Sequence, residues 1–169
     1  MIMEEWMSRD KQVRVGDRAP DFTLPDQTGT PVRLGDLLGR GTVVLYFYPK
    51  DDTPGCTLEA RAFRDSYDRF AARGAEVVGI SSDSVASHRR FAARHALPFL
   101  LLSDRGGRVR ELYGVDKTLG LLPGRVTYVI DKAGVVRSTY SSQVRATRHS
   151  REALEALAAL DEHSASAPA

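Results

Sequence analysis

The sequence predicts an α/β domain built on a central mixed β-sheet with helices on both faces. Apolar segments rich in β-branched and aromatic residues, such as residues 42–48, alternate with segments of helical periodicity. Two further apolar segments, 126–131 and 135–140, are separated by only Lys132-Ala133-Gly134, which predicts an antiparallel hairpin. The chain of 169 residues is long enough for one sizeable core. We therefore expect a single domain over residues 13–160.

The N-terminal part of the chain predicts a small hairpin ahead of the main sheet. Residues 16–38 are rich in Pro, Gly and Asp and contain short apolar stretches at 22–24 and 32–34. We expect these stretches to pair as an N-terminal β-hairpin extension, followed by a one-turn helix at 36–38. Residues 1–12 mix acidic and apolar side chains, and we expect them to form a loose terminus.

A buried strand and a long helix follow. Residues 42–48 are almost wholly apolar, which is typical of a strand covered on both faces. A helix is predicted over 54–73, with Gly74 ending it. Its apolar face at helical spacing consists of Cys56, Ala60, Phe63, Tyr67 and Phe70.

The second half of the chain continues the alternation of strands and helices. Strands are predicted at 76–81 and 97–102, and helices at 85–95, 108–113 and 149–160. The small polar residues of 161–169 are expected to form a flexible tail.

The composition argues against several classes of function. The net charge of +2 gives no indication of nucleic-acid binding. No apolar run approaches the roughly 18 residues of a membrane span, and the first residues lack the charge pattern of a secretory signal. A single cysteine excludes an intramolecular disulfide, so we expect a cytoplasmic protein in a reducing compartment.

The only cysteine, Cys56, stands where the predicted strand ends and the helix begins. A thiol at a helix N-terminus faces oriented N–H groups and the positive end of the helix dipole, which favour the reactive thiolate. Thr53 fits the N-cap and Pro54 the first helical position, while Gly55 removes side-chain bulk beside the sulfur. A lone cysteine is often only a small buried hydrophobe, but this context favours reactivity.

Three other residues are candidates for the same site. Pro49 ends the strand and would shield the sulfur from bulk water. Glu59 would support the helix N-terminus through its charge. Arg125 opens a buried strand, and if that strand lies beside 42–48, its guanidinium reaches the sheet edge where Cys56 lies. By position alone, all three also fit purely structural or solvated roles.

The spacing Pro49-x-x-x-Thr53-x-x-Cys56 resembles the active-site motif of the peroxiredoxins. The longer run at 46–59, YFYPKDDTPGCTLE, is followed by Phe63-Arg64-Asp65 and is similar to the bacterioferritin-comigratory-protein, or peroxiredoxin Q, subgroup. Further similar stretches lie at 16–24, 79–81 and 125–131.

This resemblance, which spans about residues 13–160, implies a thioredoxin-like fold and an antioxidant peroxidase that needs no cofactor. It implies that Cys56 is the peroxidatic cysteine and that Thr53, Arg125 and Pro49 complete the catalytic site. The implied substrate-binding set is Thr53, Gly55, Cys56 and Arg125.

One departure from the subgroup concerns the resolving cysteine. Many members carry it five residues after the peroxidatic one, where this chain has Arg61. The resemblance therefore implies a one-cysteine variant, in which peroxide oxidises Cys56 to a sulfenic acid and an external thiol reduces it. The implied partners are hydrogen peroxide or an alkyl hydroperoxide, and a low-molecular-weight thiol, a thioredoxin or a glutaredoxin. The protein itself is expected to be a monomer or a weak homodimer.

A disulfide reductase and a peroxide sensor are the alternatives to a peroxidase. A disulfide reductase would need a second cysteine, whereas a peroxide sensor that signals through oxidised Cys56 uses the same chemistry and stays open. His88 and His95 are predicted to lie on an exposed helix stripe. We expect no metal site, because no ligand pattern links His88, His95, His149 and His163. A basic cluster enters the last helix and is interpreted as a solvated face, with binding of an acidic partner as the alternative; it consists of Arg145, Arg148 and Arg151.

Overall fold

The computed structural model describes residues 12–115, 117–118 and 122–166. The predicted loose terminus therefore lies almost entirely outside the described residues, as does the end of the predicted tail. The strands are β1 (Thr23–Pro25), β2 (Pro31–Arg33), β3 (Thr42–Phe47), β4 (Ala75–Ser81), β5 (Leu100–Ser103), β6 (Lys117–Thr118), β7 (Leu122–Pro123), β8 (Val126–Ile130) and β9 (Val136–Ser141). The helices are α1 (Leu34–Leu38), α2 (Pro54–Asp65), α3 (Tyr67–Ala72), α4 (Val85–Arg94), α5 (Arg108–Leu112) and α6 (Arg148–Ser166).

The main sheet is mixed, as predicted, with the strand order β5-β4-β3-β8-β9. β3 is parallel to β4, and β4 is parallel to β5, because helical crossovers connect them. On its other side β3 pairs antiparallel with β8, which forms the predicted hairpin with β9. The N-terminal hairpin is also confirmed, with Leu24 of β1 opposite Val32 of β2.

Side chains of β3 alternate between two hydrophobic cores, one on each face of the sheet. Val43, Leu45 and Phe47 pack in the core that also takes apolar residues of α1 and α5. Val44 and Tyr46 pack on the opposite face, against apolar residues of α2, α4 and α6. The near-continuous apolar sequence of β3 is thus explained by burial on both faces. Within the described part of the chain, no helix is long and apolar enough to cross a bilayer.

Three predicted elements differ most from the structure. The long helix 54–73 is interrupted at Ser66, whose ψ of 2° departs from helical values, and Asp65 and Ser66 are weak helix formers. The third strand begins at Leu100 rather than at residue 97, because Pro98 has no N–H for a sheet ladder. The last helix continues to Ser166, beyond the predicted end at 160.

The loop between β3 and α2 is held by the buried carboxylate of Asp51. Tyr48 donates its hydroxyl hydrogen to Asp51 Oδ1 at 2.6 Å, and Ser87 donates to Oδ2 at 2.9 Å. Nδ1 of His88 lies 2.7 Å from the same Oδ2. The backbone N–H of Asp51 donates to Asp83 at 2.8 Å. These contacts attach the loop that precedes Cys56 to α4 and to the end of β4.

The prediction that His88 lies on an exposed helix stripe was wrong, because His88 is fully buried. The turn of α4 that carries it faces β5, where Nε2 lies 3.0 Å from the carbonyl oxygen of Leu102. His95, at the end of α4, is half-buried and packs against Phe91 at a ring distance of 5.0 Å.

We predict that Asp51→Asn lowers the free energy of unfolding by about 3 kcal/mol, because it breaks a buried charged network. Urea denaturation followed by circular dichroism measures the change. The neighbouring Asp52→Asn is the matched control, since Asp52 is exposed and pairs with Arg94 at the surface. We expect the control to cost less than about 1 kcal/mol. Equal losses in the two variants would contradict the anchoring role of Asp51.

A second prediction concerns Gly79 in β4, which leaves space for the ring of Tyr46. A Cβ at Gly79 would lie 2.8 Å from Cζ of Tyr46, and that ring is stacked on Phe63 at 4.5 Å. Gly79→Ala should therefore destabilise the protein by about 1–3 kcal/mol through overpacking. In Gly35→Ala, the new Cβ meets only the mobile end of Arg33, and we expect little change in thermal unfolding. A Gly79→Ala protein as stable as the wild type would show that the Tyr46 ring is free to shift.

Candidate active site

Cys56 lies in the first turn of α2, and its side chain faces the core beneath that helix. Pro54 occupies the first helical position. Proline lacks a backbone N–H, and at this position an N–H would have no acceptor within the helix. Ala60 and Phe63 follow Cys56 on the same buried face. Only 1% of Cys56 is exposed, so the sulfur is protected from bulk water.

The guanidinium of Arg125 lies directly beside this sulfur, as the sequence predicts for a strand next to β3. Its Nη2 donates to Cys56 Sγ at 3.3 Å, and its Nη1 donates to Glu59 Oε1 at 2.6 Å. Antiparallel pairing of β8 with β3 places Val126 opposite Phe47 and brings Arg125 to this edge. Arg125 is 5% exposed, so both interactions are made in a largely dry environment.

Gly55 allows this close approach. A Cβ at position 55 would lie 3.1 Å from Nη2 of Arg125, which is tighter than almost all real Cβ contacts. The absence of a side chain at Gly55 therefore leaves space for the guanidinium beside the sulfur.

Glu59 is a fully buried carboxyl group in the second turn of α2. Burial raises the pKa of Glu59 to about 8, although the Arg125 charge and hydrogen bond oppose the shift. Sequence reasoning missed this burial because it assigned the apolar face of the helix from hydrophobic residues alone.

Thr53 occupies the predicted N-cap position, but its hydroxyl does not cap the helix. Its φ of −88° and ψ of 150° are those of an N-cap residue, and its carbonyl accepts from Thr57 N–H at 2.9 Å. The hydroxyl instead donates to the carbonyl oxygen of Lys50 at 2.8 Å. Because its hydrogen is used there, Oγ1 is left as an acceptor for the O–H of a ligand.

Arg110 is a buried cation that sequence reasoning missed. It donates from Nη2 to the carbonyl oxygen of Tyr48 at 2.8 Å and from Nη1 to that of Gly124 at 2.7 Å. The Tyr48 carbonyl precedes Pro49, which is half-buried at the start of the loop, and the Gly124 carbonyl precedes Arg125. Arg110 therefore fixes both backbone segments that line the site. Nothing in the short helical pattern of 108–113 distinguished this arginine from a solvated one.

His149 is a second residue that the sequence did not single out. It is fully buried near the start of α6, where Nε2 lies 2.9 Å from the carbonyl oxygen of Ser142 and Nδ1 lies 2.7 Å from Thr127 Oγ1. Nδ1 also lies 3.5 Å from Glu59 Oε2. Burial lowers the pKa of His149 to about 4, and the Arg125 charge acts in the same direction. Only the folding of α6 against β8 reveals this contact.

The expectation that the histidines join no ligand-type cluster was wrong for His88. One potential ligand atom from each of Asp51, Asp83 and His88 lies within 4.8 Å of the others. These atoms already make hydrogen bonds that anchor the loop, including the one from Ser81 Oγ to Asp83 at 2.6 Å. We therefore interpret the cluster as structural.

Comparison with known proteins shows the family to which the chain belongs. The model of the AhpC/TSA family matches residues 15–139. The chain is 53% identical over 150 residues to the chloroplastic peroxiredoxin Q of Sedum lineare, covering 88% of this chain and 80% of that protein. It is 54% identical over 149 residues to the chloroplastic peroxiredoxin Q of Arabidopsis thaliana, covering 88% of this chain and 68% of that protein.

Solved structures confirm the thioredoxin-like fold. The crystal structure of peroxidoxin BcpB from Mycobacterium tuberculosis has a TM-score of 0.83 at 45% identity, covering 88% of this chain and 99% of that one. Peroxiredoxin Q from Xanthomonas campestris has a TM-score of 0.77 at 33% identity, covering 87% of this chain and 96% of that one. The chain therefore belongs to the AhpC/TSA family, within which it is a thiol-dependent peroxidase of the peroxiredoxin Q type with a single cysteine.

Proposed function

We propose that the protein reduces hydrogen peroxide and small organic hydroperoxides at Cys56, and that an external thiol then regenerates this cysteine. The observation that carries the proposal is the 3.3 Å contact between Arg125 Nη2 and Cys56 Sγ at the N-terminal end of α2. A buried guanidinium and a helix N-terminus both stabilise a thiolate, and the thiolate is the nucleophile in thiol chemistry.

In the first half-reaction, a sulfur electron pair of the Cys56 thiolate attacks one peroxide oxygen. A sulfur–oxygen bond forms as the oxygen–oxygen bond breaks, and the electron pair of that bond moves to the leaving oxygen. The leaving oxygen takes a proton from solvent and departs as water or an alcohol. Cys56 is thereby oxidised to a sulfenic acid while the peroxide is reduced.

The surrounding groups would stabilise the charge that spreads along sulfur and the two oxygens. Arg125 supplies a fixed positive charge, and the first-turn N–H groups at Gly55 and Cys56 have no intrahelical partners. The Thr53 hydroxyl, which donates to Lys50, accepts from the peroxide O–H and orients it. Pro49 limits access of water, and Glu59 holds Arg125 in place.

The second half-reaction needs a thiol from outside the chain, because Cys56 is the only cysteine. A low-molecular-weight thiol, a thioredoxin or a glutaredoxin attacks the sulfenic sulfur, releases water and forms a mixed disulfide, which a second thiol resolves.

We further propose a single domain over about residues 13–160, a monomeric or weakly dimeric state and a cytoplasmic location, since a lone thiol suits a reducing compartment.

The test is peroxide consumption by the wild type and by Cys56→Ser with a panel of thiol donors. We expect sustained turnover only in the wild type, and mass spectrometry after one equivalent of peroxide should show one oxygen added to Cys56. Excess peroxide without thiol should add a second oxygen, because no internal cysteine intercepts the sulfenic acid. Consumption of a single equivalent with every donor would favour a sensor, and a Cys56–Cys56 dimer as the only product would indicate resolution between subunits.

A further prediction concerns Thr53 and Arg125. Thr53→Val and Arg125→Gln should each slow the reaction with peroxide by about 10²–10³-fold, because each removes a group that orients or stabilises the transition state. Thr53→Ser keeps the hydroxyl and should retain most of the rate. Thr139→Val and Arg137→Gln alter exposed residues of β9 and serve as controls for stopped-flow measurements. A rate near that of the wild type in either test variant would remove that residue from the mechanism.

A further inference from the structure

The two oxygens of the buried Glu59 carboxyl group differ, because only one of them makes a hydrogen bond with the described residues. Oε1 accepts from Arg125 at 2.6 Å, whereas Oε2 is buried and makes no hydrogen bond with the described residues. Oε2 lies 3.5 Å from Nδ1 of His149, which reaches it from a different element, α6. An unsatisfied buried carboxylate oxygen is costly, so its environment calls for an explanation.

The hydrogen bonds around the pair define where a proton can lie. His149 Nε2 carries a hydrogen, because the carbonyl oxygen of Ser142 can only accept. Nδ1 is free to bind or lose a proton, since its partner Thr127 Oγ1 is a hydroxyl that donates or accepts. On Glu59, Oε1 is occupied by Arg125, so a bound proton lies on Oε2, facing Nδ1.

The charge of the pair follows from this geometry. With one titrating proton, the pair is neutral overall, whether that proton lies on Glu59 Oε2 or on His149 Nδ1. Without it, the pair carries a full negative charge within 2.6 Å of Arg125, which must then serve both a carboxylate and the Cys56 thiolate. The state of the pair thus decides how much of the Arg125 charge is available to the sulfur.

We propose that Glu59 and His149 together hold one proton, and that this proton keeps the charge of Arg125 available to the Cys56 thiolate during peroxide reduction. The inference deepens the proposed peroxidase function and rests on it. His149 is then a positioning residue, which acts on the reaction through Glu59 and Arg125.

The electrostatics of the two groups agree with this assignment. Burial raises the pKa of Glu59 to about 8, and burial lowers the pKa of His149 to about 4, so at neutral pH the proton resides mainly on Glu59. A group with a raised pKa keeps its proton at low pH and loses it as the pH rises through the raised value. The reaction should therefore weaken above about pH 8.

The other titratable groups around the pair do not produce this behaviour. Tyr46 on β3 faces Glu59 and Cys56, but burial raises its pKa well above its ordinary value, so it stays neutral. Arg110 faces Cys56 and, although burial lowers its pKa, stays cationic as arginines in proteins do. Tyr140 on β9 contacts His149 through the edge of its ring. Cys56 reacts as the thiolate, so a rising pH cannot slow the reaction through Cys56.

The experiment is the pH dependence of the single-turnover reaction with hydrogen peroxide between about pH 6 and about pH 10. We expect an alkaline limb near pH 8 in the wild type. Glu59→Gln keeps an acceptor for Arg125 but carries no ionisable proton, so its pH profile should lose the alkaline limb at whatever rate the variant retains. His149→Gln keeps a donor for Ser142 but removes the imidazole nitrogen that faces the proton on Glu59 Oε2, so the protonated carboxyl group is stabilised less and the limb should move to lower pH. The control His95→Gln, directly after α4, should keep the wild-type profile.

Infrared spectroscopy of the reduced wild-type protein supplies a readout that does not depend on peroxidase activity. A protonated carboxyl band should be present at neutral pH, disappear above about pH 8 and be absent in Glu59→Gln. Absence of the band at neutral pH, or an alkaline limb that persists in Glu59→Gln, would overturn the proposal. If the band titrates as expected while no variant reduces peroxide, the proposed function fails and the proton assignment stands.

Discussion

The site depends on one buried guanidinium that serves two partners. Arg125 donates to the sulfur of Cys56 through Nη2 and to the carboxyl group of Glu59 through Nη1. The planar, forked geometry of arginine permits both contacts at once, which a lysine ammonium on a flexible chain would not hold in the same orientation. Since the three groups are almost inaccessible to water, their interactions are screened little by solvent or salt.

The fold positions these groups with elements that are distant in sequence. Cys56 and Glu59 come from one face of α2, Arg125 from the start of β8, and His149 from α6. Arg110, on α5, bonds the backbone on both sides of the site and so fixes the end of β3 relative to the residue before Arg125. The guanidinium therefore stays in place because the backbone around it is fixed, as preorganised catalysis requires.

Two buried polar networks surround the same helix N-terminus and have different tasks. The network of Asp51 and His88 anchors the loop on one side, and both Asp51 carboxylate oxygens and both His88 ring nitrogens take part in hydrogen bonds of 2.6–3.0 Å. The network of Glu59 and His149 lies on the other side and leaves one carboxyl oxygen without a hydrogen bond among the described residues. A saturated network stabilises one geometry, whereas an incomplete one is where protonation can change the local charge. Arg61, five residues after Cys56, is exposed on α2 and supplies no thiol.

The sequence by itself determined the order along the chain of the five main-sheet strands, the N-terminal hairpin and the place of Cys56 at a helix N-terminus. These follow from hydrophobic periodicity and turn residues, which act over a few positions. It also indicated Arg125, because the residue opens a strand expected to lie beside β3. Only the tertiary structure decided the burial of Glu59, His88, Arg110 and His149, because polar side chains inside a core carry no periodic signal. Their partners are set by the packing of elements up to 90 residues apart, such as Glu59 on α2 with His149 on α6.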